Sequence, residues 1–522
     1  MIGERGDTDT SWLGRHTYGV AVGVVMLLAL VIRARGFGQG GLVHFDEGAY
    51  ACGGLVLANM PFGDAIHNGG LNPIIAPPLT FLCVGTVFRL LAIADWVAAL
   101  VPLAAGVTTV GLTAALVLRI CNDRLAAVAA AAFLAVTPYH VIYSRLVLSD
   151  GLFLMLFVAA LIAFMRAHTG GRMATYVLAG AVTGLCWNTK YHGVFPVVVY
   201  VVYLLMLSVG RVGLAGIGRG RWIGVGVAMA VAVGMVLPHV WFIGEDIGLA
   251  AFVGHRRSYV STNLIANAAF AGRCVYQLVP GAILALGALG VVAAGVRRYD
   301  GDRWLLALVV TCLVISPWYQ PYPRLYLPLA LGIVAAAGRC VSVLSAWMGD
   351  ERRWVAITMT TTAGVMGAWS VQHAHLDGPG YRLAGERLEK SALLNRPALL
   401  ACQDPMRFYL LTNPEFAGPA APIWAPGFDF ADPRWNGHVA VVVDAVYEND
   451  EALRRFLRDR GARRVAAVDN PLPWVVRANY PGNRLADGVI VIYDVPAVTG
   501  PDVASDAEAP SDIRLPGKTR GV

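Results

Sequence analysis

Apolar residues run in long blocks through the first 370 positions, and beyond them short apolar runs alternate with charged stretches. A membrane-spanning helix needs about 20 predominantly apolar residues. Counting such blocks gives about eleven spans, at 17–33, 97–118, 125–143, 151–167, 173–189, 193–210, 222–242, 276–295, 304–318, 325–345 and 354–370. The run 79–94 is also apolar, but Arg89 interrupts it and Asp95 ends it. After the last span, 398–401, 438–444, 464–468 and 489–493 read as short buried strands, with an amphipathic helix over Asn449–Arg460 closed by Gly461.

The pattern predicts an α-helical polytopic membrane protein with a small C-terminal α/β domain. Residues 1–16 form a cytoplasmic N-terminus, 17–370 the membrane domain with an outward loop at 34–96, 371–498 an extracytoplasmic domain, and 499–522 a disordered tail rich in Pro, Ala, Asp and Ser. The first span lacks a small-residue cleavage site and runs into Arg33 and Arg35, so it reads as a retained anchor. Arginines test the topology, because short cytoplasmic loops collect them. Arg119 with Arg124, Arg166 with Arg172, Arg211 with Arg219 and Arg221, Arg297 with Arg298 and Arg303, and Arg352 with Arg353 all fall on one side if 34–96 lies on the other. Counting 79–94 as a span would destroy that agreement. Trp222 with Trp241, Trp304 with Trp318, and Trp354 with Trp369 bracket three spans, as interfacial aromatics do.

Composition agrees. Of 522 residues 57% are hydrophobic and 14% charged, with a mean hydropathy of +0.59, too apolar for a soluble globule. The net charge of +7 comes from loop arginines and reports topology and contact with membrane lipids, not nucleic acid. The eight cysteines are scattered, without the spacing of a zinc site or disulfide framework.

The outward loop carries His44-Phe45-Asp46-Glu47-Gly48-Ala49-Tyr50, then an amphipathic segment at 51–60, a polar turn at 61–72 and Pro77-Pro78-Leu79. Alone, the acid pair reads equally well as a helix N-terminus, where carboxylates favour the dipole, or as a functional pair in a water-exposed loop. Outward loops should be poor in Lys and Arg, yet Arg145, Lys190, Arg256, Arg257, Arg273 and Arg324 lie on that side, and Lys190 is the only lysine in the first 370 residues. Interfacial cations can snorkel to lipid phosphate; alternatively Lys190, Arg145 and Arg324 gather round the phosphate of a lipid-linked substrate. Arg256 and Arg257 are weaker candidates.

The Asp-Glu pair with Tyr50 three positions on, Pro77-Pro78-Leu79, Arg145 to Asp150, Gly184 to Gly193 ending Thr-Lys-Tyr-His-Gly, and Pro323-Arg324-Leu325-Tyr326-Leu327-Pro328 occur in a fixed order. Together they resemble the GT-C superfamily of polyprenyl-phosphate-sugar-dependent membrane glycosyltransferases, in its protein O-mannosyltransferase and aminoarabinose-transferase-like branch, over roughly residues 15–345. The resemblance implies a transferase that moves a hexose or pentose with inversion from a polyprenyl-phosphate carrier to an extracytoplasmic glycan, lipid or protein acceptor, at a plasma membrane of the bacterial inner-membrane kind. By it, Asp46 is the general base, Glu47 a positioning or acceptor-binding partner and Asp150 a second acid. Tyr50, Lys190, Tyr191, His192, Arg324 and Tyr326 lie in the matching motifs, and 79–94 corresponds to a segment at the membrane surface. The family's basic residue before Pro-Pro is Ala76 here, so that contact passes to His67 or another residue.

The chemistry fits the residues. No glycine-rich phosphate loop is present, and a lipid phosphate is already a good leaving group, so one base and well-placed cations suffice. A metal is not expected: His44 with Asp46 and Glu47 lacks a further fixed ligand, and His373-x-His375 is an isolated pair. A multi-span transporter or lipid flippase with an outer domain is the alternative, though the repeated halves common in such proteins are not visible.

Overall fold

Long apolar blocks form helices because a bilayer or a helix-lined core satisfies no backbone polar groups, and a helix satisfies its own. A computed structural model describes residues 15–60, 76–209, 218–246, 248–257, 259–297, 299–319, 321–348, 353–372, 380–416, 418, 420–423, 428–470 and 488–498. The predicted tail and N-terminal segment 1–14 fall outside the described residues, as does the polar turn.

The helices are α1 (Arg15–Ala34), α2 (Phe45–Asn59), α3 (Leu79–Leu90), α4 (Asp95–Cys121), α5 (Arg124–Ala135), α6 (Pro138–Tyr143), α7 (Ser149–Gly170), α8 (Met173–Trp187) and α9 (Phe195–Leu207). They continue with α10 (Arg219–Asp246), α11 (Leu249–Arg257), α12 (Leu264–Leu278), α13 (Gly281–Arg297), α14 (Asp300–Ile315), α15 (Leu327–Met348) and α16 (Arg353–Gln372). Among the described residues six helices are long and apolar enough to cross a bilayer, and five apolar helices of 10–17 residues accompany them. The chain is a helical membrane protein with a small C-terminal sheet.

Two expected spans are broken. The block 125–143 is α5 followed by α6, because Pro138 cannot donate to the helix ladder and drives Thr137 to an extended conformation (ψ 115°). At about 1.5 Å per residue α5 alone is too short to span. The block 276–295 is split at Val279-Pro280 between α12 and α13. One interfacial reading also differs: Trp304 is buried, stacked on Tyr203 at 4.1 Å and Tyr200 at 5.5 Å inside the bundle. Trp241, Trp318, Trp354 and Trp369 are exposed, as expected, whereas Trp222 is half-buried against the bundle.

Helix α2 begins earlier than the amphipathic segment suggested and is buried at Tyr50–Leu57. It forms a hairpin with α3, where Arg89 donates to the carbonyls of Ala58 (3.1 Å) and Met60 (2.8 Å), a favourable cation at the end of α2.

The C-terminal domain holds α17 (Gly380–Glu389), β1 (Ala398–Ala401), α18 (Asp404–Thr412), β2 (Ala420–Pro422), β3 (Val439–Val443), α19 (Glu451–Asp459), β4 (Arg463–Asp469) and β5 (Val489–Val495). The sheet order is β2-β1-β3-β5-β4. β1 is parallel to β2 and β3, whereas β5 is antiparallel to β3 and β4. Side chains of α17 and α18 cover one face and those of α19 the other. Beside this sheet, the domain packs on α2, α3 and the 36–43 loop. At Gly48 the backbone of Asp404-Pro405 leaves no room for a Cβ, Phe408 stacks on Phe88, and Asp95 accepts from Tyr409 (2.8 Å) and pairs with Arg382.

Candidate functional site

Four charged side chains from four helix ends meet in one place. Asp46 lies in the first turn of α2, Asp150 in the first turn of α7, Lys190 in the turn after α8, and Arg324 in the short 3-10 turn Pro323–Tyr326 before α15. Arg324 pairs with Asp46 and Lys190 with Asp150. All are largely withdrawn from solvent: side-chain exposure is 16% for Asp46, 18% for Arg324, 13% for Lys190 and 1% for Asp150.

Local structure fixes each member. His44 caps α2, its Nδ1 accepting from Asp46 N–H at 3.0 Å. Leu79 N–H donates to Asn188 C=O at 2.9 Å, tying the Pro-Pro-Leu turn to the Lys190 segment. Tyr139, on α6 beyond the Pro138 break, donates its hydroxyl to Pro323 C=O and so pins the turn carrying Arg324. That break is held by the buried Arg33, which donates to the Ala135 carbonyl at the end of α5 (3.0 Å).

Burial, the largest single influence, would push the Asp46 carboxyl up. Arg324, His44 and Lys190 outweigh it and hold the group below its ordinary value. For Arg324 burial would lower the pKa, but Asp46 and Asp150 raise it, so it stays cationic. Lys190 is lowered, chiefly by burial, against the pull of Asp150. Among the described residues two buried atoms of the group have no hydrogen-bond partner, Arg324 Nε and Asp150 Oδ2.

Glu47 behaves differently from its neighbour. The loop is not the water-exposed segment expected from sequence; Glu47 is 1% exposed. Its Oε2 accepts from Val43 N–H and His44 N–H, both 2.9 Å, and its Oε1 from Val147 N–H at 2.7 Å. Burial pushes its carboxyl up to about 7 despite those three donors. It closes a capping box and ties α2 to the loop leading into Asp150, so for Glu47 the helix-terminus reading and the positioning reading describe one arrangement.

The other expected residues divide. Tyr50 is buried, its hydroxyl bonded to Ser149. His192 packs against Phe153, Phe195 and Tyr319. Tyr191 carries Arg256 over its ring at 3.8 Å and its hydroxyl lies 3.3 Å from His239 Nε2. Tyr326 is fully buried beside Phe270. Arg145 lines a separate recess with Gly36, Trp96 and Arg382. Arg257 is exposed on the last turn of α11, and His67, His373 and His375 fall outside the described residues. Among the described residues no three His, Cys, Asp or Glu side chains group as a metal site.

Sequence reasoning missed Tyr322, whose ring lies 5.6 Å from the Arg324 guanidinium. It also missed Asp404 of the C-terminal domain, buried against α2, with Oδ1 unpartnered among the described residues and its carboxyl pushed up to about 7 by burial. An aromatic two positions before a motif arginine was a usable signal for the first. Nothing local marks the second.

A family profile described as dolichyl-phosphate-mannose-protein mannosyltransferase matches residues 76–242, which include Asp150 and Lys190 but neither Asp46 nor Arg324. No curated protein matches in sequence. Among solved structures, ArnT from Cupriavidus metallidurans bound to undecaprenyl phosphate is similar with a TM-score of 0.60 and 14% identity, over 92% of this chain and 99% of that one. The Archaeoglobus fulgidus oligosaccharyltransferase gives 0.58 and 14%, over 83% of this chain and 70% of that one. The mycobacterial arabinofuranosyltransferase AftD gives 0.52 and 15%, over 93% of this chain and 40% of that one. The matched segment covers about a third of the chain, and at 14–15% identity the solved structures show a shared fold, that of membrane glycosyltransferases.

Proposed function

We propose that the protein moves a sugar, with inversion, from a polyprenyl-phosphate carrier to an acceptor hydroxyl at the extracytoplasmic face of the plasma membrane, with Asp46 as general base. The observation that carries this reading is the buried group of two carboxylates and two cations at the helix ends. Undecaprenyl phosphate bound to the similarly folded ArnT supports the donor class.

The chemistry follows from the charges. The acceptor O–H gives its proton to Asp46 as the oxygen attacks the anomeric carbon, and the bond from that carbon to the lipid phosphate breaks. Charge grows on the leaving phosphate, so Lys190 and Arg324 stabilise the transition state more than the ground state. Arg324 couples the two events. A donor phosphate competes with Asp46 for the guanidinium, and as the pair loosens the carboxyl loses the partner that depresses its pKa and becomes a stronger base.

The same reading takes residues 17–370 as an eleven-span domain with the 34–96 loop outside, 1–16 in the cytoplasm, 371–498 outside above α2, and 499–522 as a disordered tail. Cysteine labelling of intact cells supports it if the C-terminal domain reacts and the 211–221 loop does not; the reverse overturns the topology. The function itself is tested with purified protein and a polyprenyl-phosphate sugar carrying a radiolabel. Transfer of label to a hydroxyl acceptor supports the proposal, whereas movement of the intact lipid across vesicles without transfer identifies a flippase.

A further inference from the structure

The loop between α1 and α2 leads into the cap of the proposed base, and residues of the C-terminal domain hold it. Three consecutive backbone amides there each donate to a side-chain oxygen. Val43 N–H and His44 N–H go to Glu47 Oε2, both at 2.9 Å, and Leu42 N–H goes to the hydroxyl of Tyr409 at 2.8 Å. Glu47 belongs to α2 itself, whereas Tyr409 belongs to α18 of the C-terminal domain. Earlier in the loop, Arg382 of α17 donates through Nη1 to Gly38 C=O at 2.8 Å. One carboxylate at the start of α4 joins the two: Asp95 Oδ2 accepts from the Tyr409 hydroxyl at 2.8 Å and from Arg382 Nε at 3.1 Å, and pairs with Arg382 Nη2.

The loop is shaped for that grip. Gly41 takes a positive φ of 64°, and a Cβ built on it would lie 2.8 Å from the Tyr409 hydroxyl, so glycine lets the phenol come this close. Leu42 and Val43 are buried, and His44 follows at once, its Nδ1 accepting from Asp46 N–H. Attachment of the domain does not need these polar contacts, because Phe408 stacks on Phe88 and Asp404-Pro405 seats on Gly48. Ordering a phenol and a guanidinium and withdrawing them from water costs free energy, and here both are aimed at the loop's backbone.

We propose that Tyr409 and Arg382 are positioning residues for Asp46: the C-terminal domain clamps the 38–44 loop against Asp95 and so fixes the capped first turn from which the carboxylate acts. This rests on the transfer reaction proposed above. Without the clamp the loop can shift, and a displacement of about 1 Å at a reacting group costs about a hundredfold in rate. Lys190 and Arg324 sit on other elements, after α8 and before α15, so binding of the donor phosphate is left intact.

The test is Tyr409→Phe in the full chain purified in detergent, a change that removes the hydroxyl and keeps the ring against Phe408. Turnover with a radiolabelled polyprenyl-phosphate sugar should fall by about ten- to a hundredfold, with the donor KM unchanged. Hydrogen exchange at the amides of 42–44 should rise while those of β1 and β3 stay protected. In an Asp46→Asn background the same change should cause no further loss, because residues that act as a unit are not additive. Arg382→Gln should show the same pattern more weakly, and it decides the matter if Tyr409→Phe fails to fold. Wild-type turnover in the folded variants, unchanged exchange at 42–44, or an equal loss in the Asp46→Asn background overturns the proposal. A wild type that transfers no sugar counts instead against the transfer reaction, and exchange at 42–44 then decides the clamp alone.

Discussion

Two Arg–Asp pairs in this molecule look alike in a contact map and differ in what surrounds them. In the pair of Arg339 and Asp302 both carboxylate oxygens are used: Oδ1 accepts from Nε at 2.6 Å, and Oδ2 from Nη2 at 3.0 Å and from Tyr299 N–H at 3.1 Å. It is a closed bidentate pair, buried and capping α14. The pair of Arg324 and Asp46 is open. One guanidinium nitrogen meets one carboxylate oxygen, Arg324 Nε is left over, and a second incomplete pair, Lys190–Asp150, lies within electrostatic reach. An orphaned buried polar atom costs about 1–3 kcal/mol, so a fold that keeps two in one cluster gives up stability there. On the function proposed above, the difference separates charge that holds helices together from charge kept for a ligand.

The comparison breaks first at Asp46. Asp46→Asn keeps the side chain's shape but cannot take a proton at neutral pH, and a positioned base typically contributes about a hundred- to ten-thousandfold. Transfer should fall by that factor with thermal unfolding little changed. Lys190→Met should cost about a hundredfold on the scale of one aimed electrostatic contact. Near-normal turnover in both, measured on purified protein, would remove the open cluster from the chemistry.

Much of this was legible in sequence. The apolar blocks gave the helices, and the apolar runs at 398–401, 438–444 and 489–493 announced the sheet; 464–468 is a strand as read, but as part of the edge strand β4 it is mostly exposed rather than buried. The four motifs located Asp46, Asp150, Lys190 and Arg324. Which of them meet was not legible, since the pairing depends on helix ends separated by up to 278 positions. The Pro138 break was written in the sequence but lay inside an apolar block whose hydropathy masked it. The opposite fates of Asp46 and Glu47 were invisible, because adjacent residues on a helix diverge by about 100° and only the neighbouring backbone decides which is capped.

A smaller effect on turnover sharpens the contrast within α2. Glu47→Gln replaces one accepting oxygen by an amide that donates, so a backbone N–H now held by the carboxylate faces another donor. The cost is about 1–3 kcal/mol of stability, with turnover per folded molecule reduced less than in Asp46→Asn. The pH dependence gives a second readout. Burial raises the Glu47 carboxyl from 4.5 to about 7, so the folded state binds this proton more tightly than the unfolded chain. Its contribution to stability is complete below pH 4.5 and is lost as pH rises through about 7. Glu47→Gln should flatten that decline in part, leaving the portions due to Asp404 and Asp444, which burial raises to about 7 and about 6. An unaltered pH profile of thermal unfolding would show that Glu47 does not titrate in this window.

The smallest effect on catalysis is expected at the closed pair. Asp302→Asn leaves Arg339 facing a neutral amide that can accept from one guanidinium nitrogen but not both, and the Tyr299 amide loses an anionic partner. Breaking one side of a buried pair typically costs about 3–5 kcal/mol, because the remaining charge stays buried. Yet Asp302 lies at the start of α14, and none of its contacts involves Asp46, Asp150, Lys190 or Arg324. The variant should therefore unfold at lower temperature while the surviving folded fraction transfers sugar at the wild-type rate. Normalising turnover to folded protein, by counting active molecules with a tight-binding donor analogue, makes the comparison exact enough to decide. A loss of turnover per folded molecule as large as that of Lys190→Met would mean that a saturated pair also serves the chemistry, and that open valences do not mark the site.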